Sequence, residues 1–290
     1  MELVIFKDLG RMNYQEAWDY QEGLLKENVR IKTEARHRLE VAGGGEAVAQ
    51  SAEQLTLNQR VRGGEGSGAT DGGEGNPIAA SGSNGGAVED SPMGGGAGSG
   101  VDTTHYLLLV EHPHVYTLGK SGHMENVLIE EQTMEEKGIQ FFRINRGGDI
   151  TYHGPGQLVG YPILDLEKFY TDIGRYLRNL EEVAIRLLAD YGIVGDRSAG
   201  ETGVWIEPDV KGRARKIMAI GVRCSRWITM HGFALNVNTD LSYFGNIVPC
   251  GIQDKQVTSI ERELGRAVPM EEIKEKWKTR FAEVFGVEVR

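Results

Sequence analysis

Cys250 stands between Pro249 and Gly251, a setting that leaves a thiol exposed and lets backbone approach a bound carbonyl. An unperturbed thiol has a pKa of about 8.5, so it becomes a good nucleophile at neutral pH only beside a cation. Nucleophile and inert loop thiol both fit the residues. Lys216 closes a basic run with Lys211, Arg213 and Arg215 and stands at the head of a strand pattern. It could be such a cation, or a solvated surface lysine, and spacing alone does not put it beside Cys250. His153 has the chemistry of an acid, a base or an orienting donor, and equally of a loop hydrogen-bonder. It lies within Arg146–Pro162, seventeen residues that mix five glycines with an arginine, a histidine, a glutamine and two tyrosines. Glycine brings backbone close to a partner. With strand-like runs before it (Phe141–Ile144) and after it (Leu158–Leu164), the stretch reads as a loop whose amides and polar side chains face a ligand. His112 and His114 are two apart, but no Cys pair or acidic cluster completes a metal set, so no metal is expected. Cys224 ends a strand pattern with Ile220 and Val222 and reads as a small buried hydrophobe.

The elements that must position these residues follow from periodicity. Leu3–Phe6 suggests a strand. Asn13 and Glu16 resemble a capping box, and Tyr14, Ala17, Trp18, Gln21, Leu24 and Leu25 share one face of a helix running from Tyr14 to Glu27 and weakly on to Glu40. Tyr106–Val110 is an apolar run of buried-strand type. Asp172 caps a helix with Ile173, Tyr176, Leu177, Leu180, Ala184, Leu187, Leu188 and Tyr191 inward, and Gly192 stops it. Gly203–Ile206, Ile217–Cys224 and Ile228–Val237 are strands. Pro269 opens a last helix with Ile273, Trp277, Phe281 and Phe285 inward. One mixed sheet flanked by helices, of α/β or α+β class, is the expected architecture.

Composition narrows the function. The 290 residues carry a formal charge of -10 and only two cysteines. Nearly half of the 40 glycines fall between Gly43 and Gly100, among Ser, Ala, Asn and acids. Such a segment cannot bury enough apolar area to offset its ordering entropy, and it reads as a disordered insertion within a single domain spanning 1–290. It also holds much of the acidity, so the rest of the chain is nearly balanced. No basic tail points to nucleic acid. No signal-type leader and no apolar run of membrane-spanning length is seen, so a cytoplasmic protein with free thiols, on no membrane, is expected.

Five motifs then converge. His112-Pro113…Tyr116-Thr117-Leu118-Gly119, Arg146-Gly147-Gly148-Asp149-x-Thr151-Tyr152-His153-x-x-Gly156-Gln157, Lys216-Ile217-x-Ala219-Ile220-Gly221-Val222-Arg223, His231-Gly232-Phe233-Ala234-Leu235-Asn236 and Pro249-Cys250-Gly251-Ile252 occur in this order. Together they closely resemble the lipoyl(octanoyl) transferases over about residues 1–30 and 104–264. The resemblance implies a biotin/lipoate ligase-type catalytic domain, a mixed sheet flanked by helices with a smaller sheet attached. It implies transfer of an octanoyl or lipoyl group from acyl carrier protein to a lysine of a lipoyl domain, in 2-oxoacid dehydrogenase E2 subunits and glycine cleavage H protein, the first step of protein lipoylation. Cys250 falls at the acyl-thioester nucleophile, and Lys216 at the lysine that lowers its pKa and shuttles a proton. Arg146, Gly147, Gly148, Asp149, Ile150, Thr151, Tyr152 and His153 fall where the acyl chain is bound, as do Ala219, Ile220 and Gly221 and Gly232, Phe233 and Ala234. No cofactor is implied. The 43–100 insertion departs from the family's short link. Arg143, Arg146, Lys211, Arg213, Arg215, Arg223 and Arg226 could form a docking face for acidic partners. Two alternatives remain at this point: an ATP-dependent lipoate ligase, which has no use for a nucleophilic thiol, and a non-catalytic lipoyl-binding protein.

Overall fold

The β2 run His105–Glu111 is apolar on both sides because both of its faces are covered. Leu107 and Leu109 point to one core, Leu108 and Val110 to another. The computed structural model describes residues 1–43, 102–248 and 256–290. The Gly43–Gly100 insertion, past its first residue, and the Pro249–Ile252 motif lie outside them.

Strands β1 (Leu3–Arg11), β2, β6 (Gln157–Ile163), β7 (Val204–Ile206), β8 (Arg215–Ser225), β9 (Ile228–Asn236), β10 (Gln256–Val257) and β11 (Glu288–Val289) form the large sheet. Its order is β10-β8-β9-β6-β2-β1-β11, with β7 also on β8. The pairs β1–β2, β1–β11 and β8–β10 are parallel and the rest antiparallel, so the sheet is mixed. Strands β3 (Val115–Leu118), β4 (Gln140–Arg143) and β5 (Ile150–His153) make a second sheet in the order β4-β3-β5.

Helix α1 (Tyr14–Gly43) lays Ala17 and Leu25 on one face of the large sheet, against Val159, Tyr161, Ile163 and Ala234. Short α2 (Glu131–Glu136) puts Met134 on the small sheet. On the large sheet's opposite face, α3 (Ile173–Ala189) and α5 (Met270–Phe285) bury Tyr176, Leu180 and Leu187 with Trp277, Phe281 and Phe285. Asp172 caps α3 by accepting from the Arg175 N–H, as its sequence position predicts. Short α4 (Ile260–Leu264) is capped by Ser259. No helix among the described residues is long and apolar enough to cross a membrane.

The expected α+β architecture is found, with two corrections. The 146–162 stretch is not one loop, because Ile150–His153 is β5, paired antiparallel to β3. The alternation of Ile150 and Tyr152 into the small sheet's core, which includes Tyr116, Leu118 and Met134, makes that strand. Cys224 is exposed and not a core residue, since it sits one residue before the end of β8. Partial desolvation of its sulfur still pushes the thiol up to about 11, so little thiolate is present at pH 7.

Candidate active site

A block of four small residues makes the floor of the site. In the antiparallel register of β8 and β9, Ala219 faces Ala234 and Gly221 faces Gly232. Neighbours across an antiparallel pair stand on the same face of the sheet. The two glycines let backbone close in, since a Cβ at Gly221 would lie 2.9 Å from the Gly147 carbonyl oxygen and one at Gly232 2.2 Å from that of Gly160, while Ala219 and Ala234 present only a methyl to the cavity. The Ala234 row continues across the sheet to Val159 on β6.

The roof is the segment from Asn145 to Asp149 and the start of β5. The Gly147 N–H donates to the Val222 carbonyl on β8, at 3.0 Å. The Arg146 guanidinium turns back into the protein, where Nη2 donates to the Thr117 carbonyl at 2.7 Å and to Thr117 Oγ1 at 2.9 Å. This close approach requires Gly119: a Cβ there would lie 2.2 Å from the Gly148 carbonyl oxygen and 2.9 Å from Arg146 Nη1. Asp149 braces the roof from behind, its carboxylate accepting from Asn126 Nδ2 and the Ile150 N–H.

Between floor and roof lies a cavity of about 380 Å³. Every residue the resemblance placed at the acyl chain lines it except Tyr152: Arg146, Gly147, Gly148, Asp149, Ile150, Thr151, His153, Ala219, Ile220, Gly221, Gly232, Phe233 and Ala234. Lys216 lines it as well, with its ammonium 4.5 Å from the centre of the Trp205 ring. Tyr152 instead turns into the small sheet's core, where its hydroxyl meets His114 Nδ1 at 2.7 Å and its ring stacks on Tyr243. Cys250 is outside the described residues.

One hydrogen-bond relay fixes the inner wall. Gln157 Nε2 donates to the Tyr152 carbonyl and to Asn236 Oδ1, so Gln157 Oε1 accepts from His153 Nδ1 at 2.8 Å. That assignment leaves His153 Nε2 facing the Thr117 hydroxyl, which itself accepts from Arg146. Burial, with a smaller push from His112, drives His153 down to about 3. Burial likewise drives His112 down to about 4. His112 Nδ1 donates to the Met12 carbonyl and Nε2 accepts from the Tyr161 hydroxyl, so His112 is part of the wall rather than half of a metal pair. Both rings are neutral over the physiological range.

Sequence reasoning assigned no site role to Tyr14, Leu177, Glu201, Thr202, His231, Asn236, Phe244 or Val257, all of which line the cavity, as do Val159 and Tyr161 from the ligand-facing stretch 146–162. The sequence pattern makes Tyr14 and Leu177 helix core, which they also are in part. His231 and Asn236 sit inside a quoted motif, and their polarity on an otherwise apolar strand was the available signal. Glu201, Thr202 and Phe244 come from irregular segments with no periodicity to expose them. Part of the expected basic docking face is engaged within the fold. Arg146 is buried, Arg213 and Arg215 pair with Glu207, Arg215 also with Glu263, and Arg223 pairs with Glu22.

A mixed sheet with a smaller sheet attached thus carries a hollow with small residues on its floor and a lysine in its wall. Solved structures share the fold. A lipoate protein ligase from Thermoplasma acidophilum superposes over 65% of this chain and 74% of its own with a TM-score of 0.53 at 19% identity. A lipoate-protein ligase A bound with ATP gives a TM-score of 0.54 at 18% identity, over 65% and 76%. The model of the lipoyl protein ligase A/B catalytic domain matches residues 98–282, and the chain belongs to that family. Among curated relatives, the octanoyltransferase of Christiangramia forsetii is 45% identical over 98% of this chain and 96% of its own length. That of Flavobacterium psychrophilum is 62% identical over 64% and 81%.

Proposed function

We propose that this protein is an octanoyltransferase of protein lipoylation, working through an acyl-thioester on Cys250. The observation that carries the reading is the cavity: a hollow of about 380 Å³ with small apolar residues on its floor, roofed by a loop tied down by Arg146, with Lys216 in its wall. Burial of an alkyl chain there is worth about 0.8 kcal/mol per CH₂, so eight carbons supply useful binding energy without any polar handle.

The chemistry is two displacements. The Cys250 thiolate attacks the donor's thioester carbonyl, a C–S bond forms to Cys250, the bond to the carrier breaks and the carrier thiol leaves with a proton. A lipoyl-domain lysine, as free amine, then attacks the enzyme thioester; the amide forms and its surplus proton returns to the Cys250 sulfur. Lys216 has two roles in this reading, holding the thiolate by its positive charge and carrying the proton between steps. Acyl carrier protein is the donor, and the lipoyl domains of 2-oxoacid dehydrogenase E2 subunits and the glycine cleavage H protein are the acceptors. A thioester already carries the acyl group at high transfer potential, so no ATP, metal or other cofactor enters.

The test mixes octanoyl carrier protein, acceptor domain and enzyme with EDTA and without ATP, and follows intact mass. Octanoylated acceptor, and an enzyme adduct present in Cys224→Ala but absent in Cys250→Ala, is the expected result. Modification only with free octanoate and Mg-ATP would replace this reading with a ligase.

A further inference from the structure

We propose that Trp205 is a positioning residue, its ring the platform that holds the Lys216 ammonium at the cavity wall. The proposal deepens the octanoyltransferase reading, on which it rests for the use made of that charge.

A lysine carries its charge on a flexible four-carbon stem, so a strand position alone does not fix where the ammonium sits. Lys216 lines the cavity and Trp205 does not. The Lys216 Nζ lies over the Trp205 ring, 4.5 Å from its centroid. Within about 6 Å a cation is drawn to the negative face of an aromatic ring, and tryptophan is the strongest of the three rings in this respect. Trp205 is 2% exposed, so close packing holds its ring in one orientation. The ring thus acts on the cavity only through the lysine.

An irregularity in the sheet brings the two residues together. β7 runs antiparallel to β8 with Val204 opposite Met218 but Trp205 opposite Lys216, so Ile217 is extra in the ladder. Such a bulge re-aims side chains. In unbroken register Trp205 would stand opposite Ile217, a fully buried core residue. Trp205 is fixed from its other side as well: its N–H donates to the Asp196 carbonyl and its carbonyl accepts from the Asp196 N–H, both at 2.8 Å. Just before β7, the Gly203 N–H donates to Glu181 Oε1 of α3 at 2.9 Å. Glu181 is fully buried and paired with Arg178 and Arg197. Gly203 has φ 114°, and a Cβ there would lie 2.4 Å from the Met218 carbonyl oxygen, so only glycine lets the chain pass this close to β8. A buried carboxylate that the chemistry does not use therefore anchors the strand that carries the platform. The ring attracts the ammonium and not the neutral amine. It holds Lys216 in the charged state in which the lysine would stabilise the Cys250 thiolate. Loss of the ring should lower turnover and leave donor binding alone.

The test joins a spectrum to kinetics. In wild type labelled with carbon-13 lysine, the Lys216 ε-methylene resonance is assigned by its loss in Lys216→Ala. It should stand upfield of its unfolded position, because the Trp205 ring current shields it, and return towards that position in Trp205→Leu. Steady-state transfer from octanoyl carrier protein is measured for Trp205→Leu and Trp205→Phe; both shorten the side chain, but only phenylalanine keeps an aromatic face. The expected kcat is roughly tenfold lower with leucine and about threefold lower or less with phenylalanine, with KM within about twofold of wild type in both. An unshielded methylene in wild type overturns the proposal, and so do equal kcat losses in the two folded variants. If Trp205→Leu fails to fold, the wild-type resonance alone decides. Lys216→Ala that transfers at the wild-type rate overturns the lysine's part in the octanoyltransferase reading, while a shielded methylene still places the ammonium on the ring.

Discussion

Arg146 Nη2 lies 2.7 Å from the Thr117 carbonyl oxygen, so the arginine of the glycine-rich segment ties its own loop to β3. The loop's height above the β8–β9 floor thus depends on a guanidinium fork that also reaches Thr117 Oγ1. Nη1 of the same group donates to the Gly147 carbonyl at 3.0 Å, and a lysine, with one nitrogen and no fork, cannot hold Thr117 and Gly147 together in that geometry. Arg146→Lys and Gly119→Ala should both shift the roof, one by loosening it and the other by the 2.2 Å clash with Gly148. A misplacement near 1 Å costs on the order of a hundredfold in rate. Steady-state octanoyl transfer should fall by that order in each variant while far-ultraviolet circular dichroism stays unchanged. Rates within threefold of wild type would show that the roof needs no anchor.

Lys32 is buried on α1 and meets Asp165 Oδ1 at 2.7 Å, Glu167 Oε2 at 2.9 Å and the Arg226 carbonyl at 3.0 Å. Thr103 donates to the other Asp165 oxygen. Removing one partner of a buried pair strands the other, at a cost of about 3–5 kcal/mol. Lys32→Met should lower unfolding free energy by that amount in urea titration. Asp165→Asn added to it should recover part of the loss, because no lone buried carboxylate remains at that position. Additive losses would mean that the pair is not coupled.

Elements with one strong period were legible. The α3 and α5 stripes, the doubly covered β2 and the cap at Asp172 all follow from residue spacing, and their burial is as expected. The site was legible in its motifs but not in its shape. Nothing local says that Ala219 and Ala234 are opposite each other, because register is a tertiary fact fixed by the flanking apolar residues. β5 was missed because four residues between glycines look like loop until their partner β3 is known. Lone polar residues such as His231 were hidden for the same reason. The cation count misled, because the arginines of β8 have carboxylate partners far away in sequence.

Phe233 lies between cavity and core, its ring stacked on Trp277 of α5 with centroids 3.8 Å apart. Trp277 is completely buried. Trp277→Ala should cost about 3–5 kcal/mol by leaving a void. Trp277→Phe should cost less, yet leave Phe233 free to tilt away from the cavity. Octanoate binding by Trp277→Phe should weaken severalfold, with its melting point only a few degrees below wild type. Unchanged affinity in a destabilised variant would separate the core from the cavity wall.

Three of the buried histidines give the fold a defined response to acid, and burial lowers His105 in the same direction. Burial lowers His112 to about 4, and His153 and His231 to about 3. For His231 the charges of Arg146 and Arg223 add to burial. In the unfolded chain each titrates near 6.5. Between those values the unfolded state binds more protons than the folded state, so stability falls as pH falls. The contribution is fully present above about 6.5 and is lost progressively towards the folded values. Each histidine accounts for about 1.4 kcal/mol per pH unit once below 6.5, hence on the order of 2 kcal/mol by pH 5. The window from 6.5 to 5 is the informative one, because most carboxylates have not yet protonated there. Urea unfolding at half-unit intervals should show a proton uptake on unfolding approaching three from these rings, with His105 and His114 adding to it in the same direction. His153→Gln should remove about one of the three. A wild-type slope near zero across that window would mean that these rings take up protons in the folded protein, and that the relay from Arg146 through Thr117 and His153 to Gln157 is not wired as the hydrogen bonds indicate.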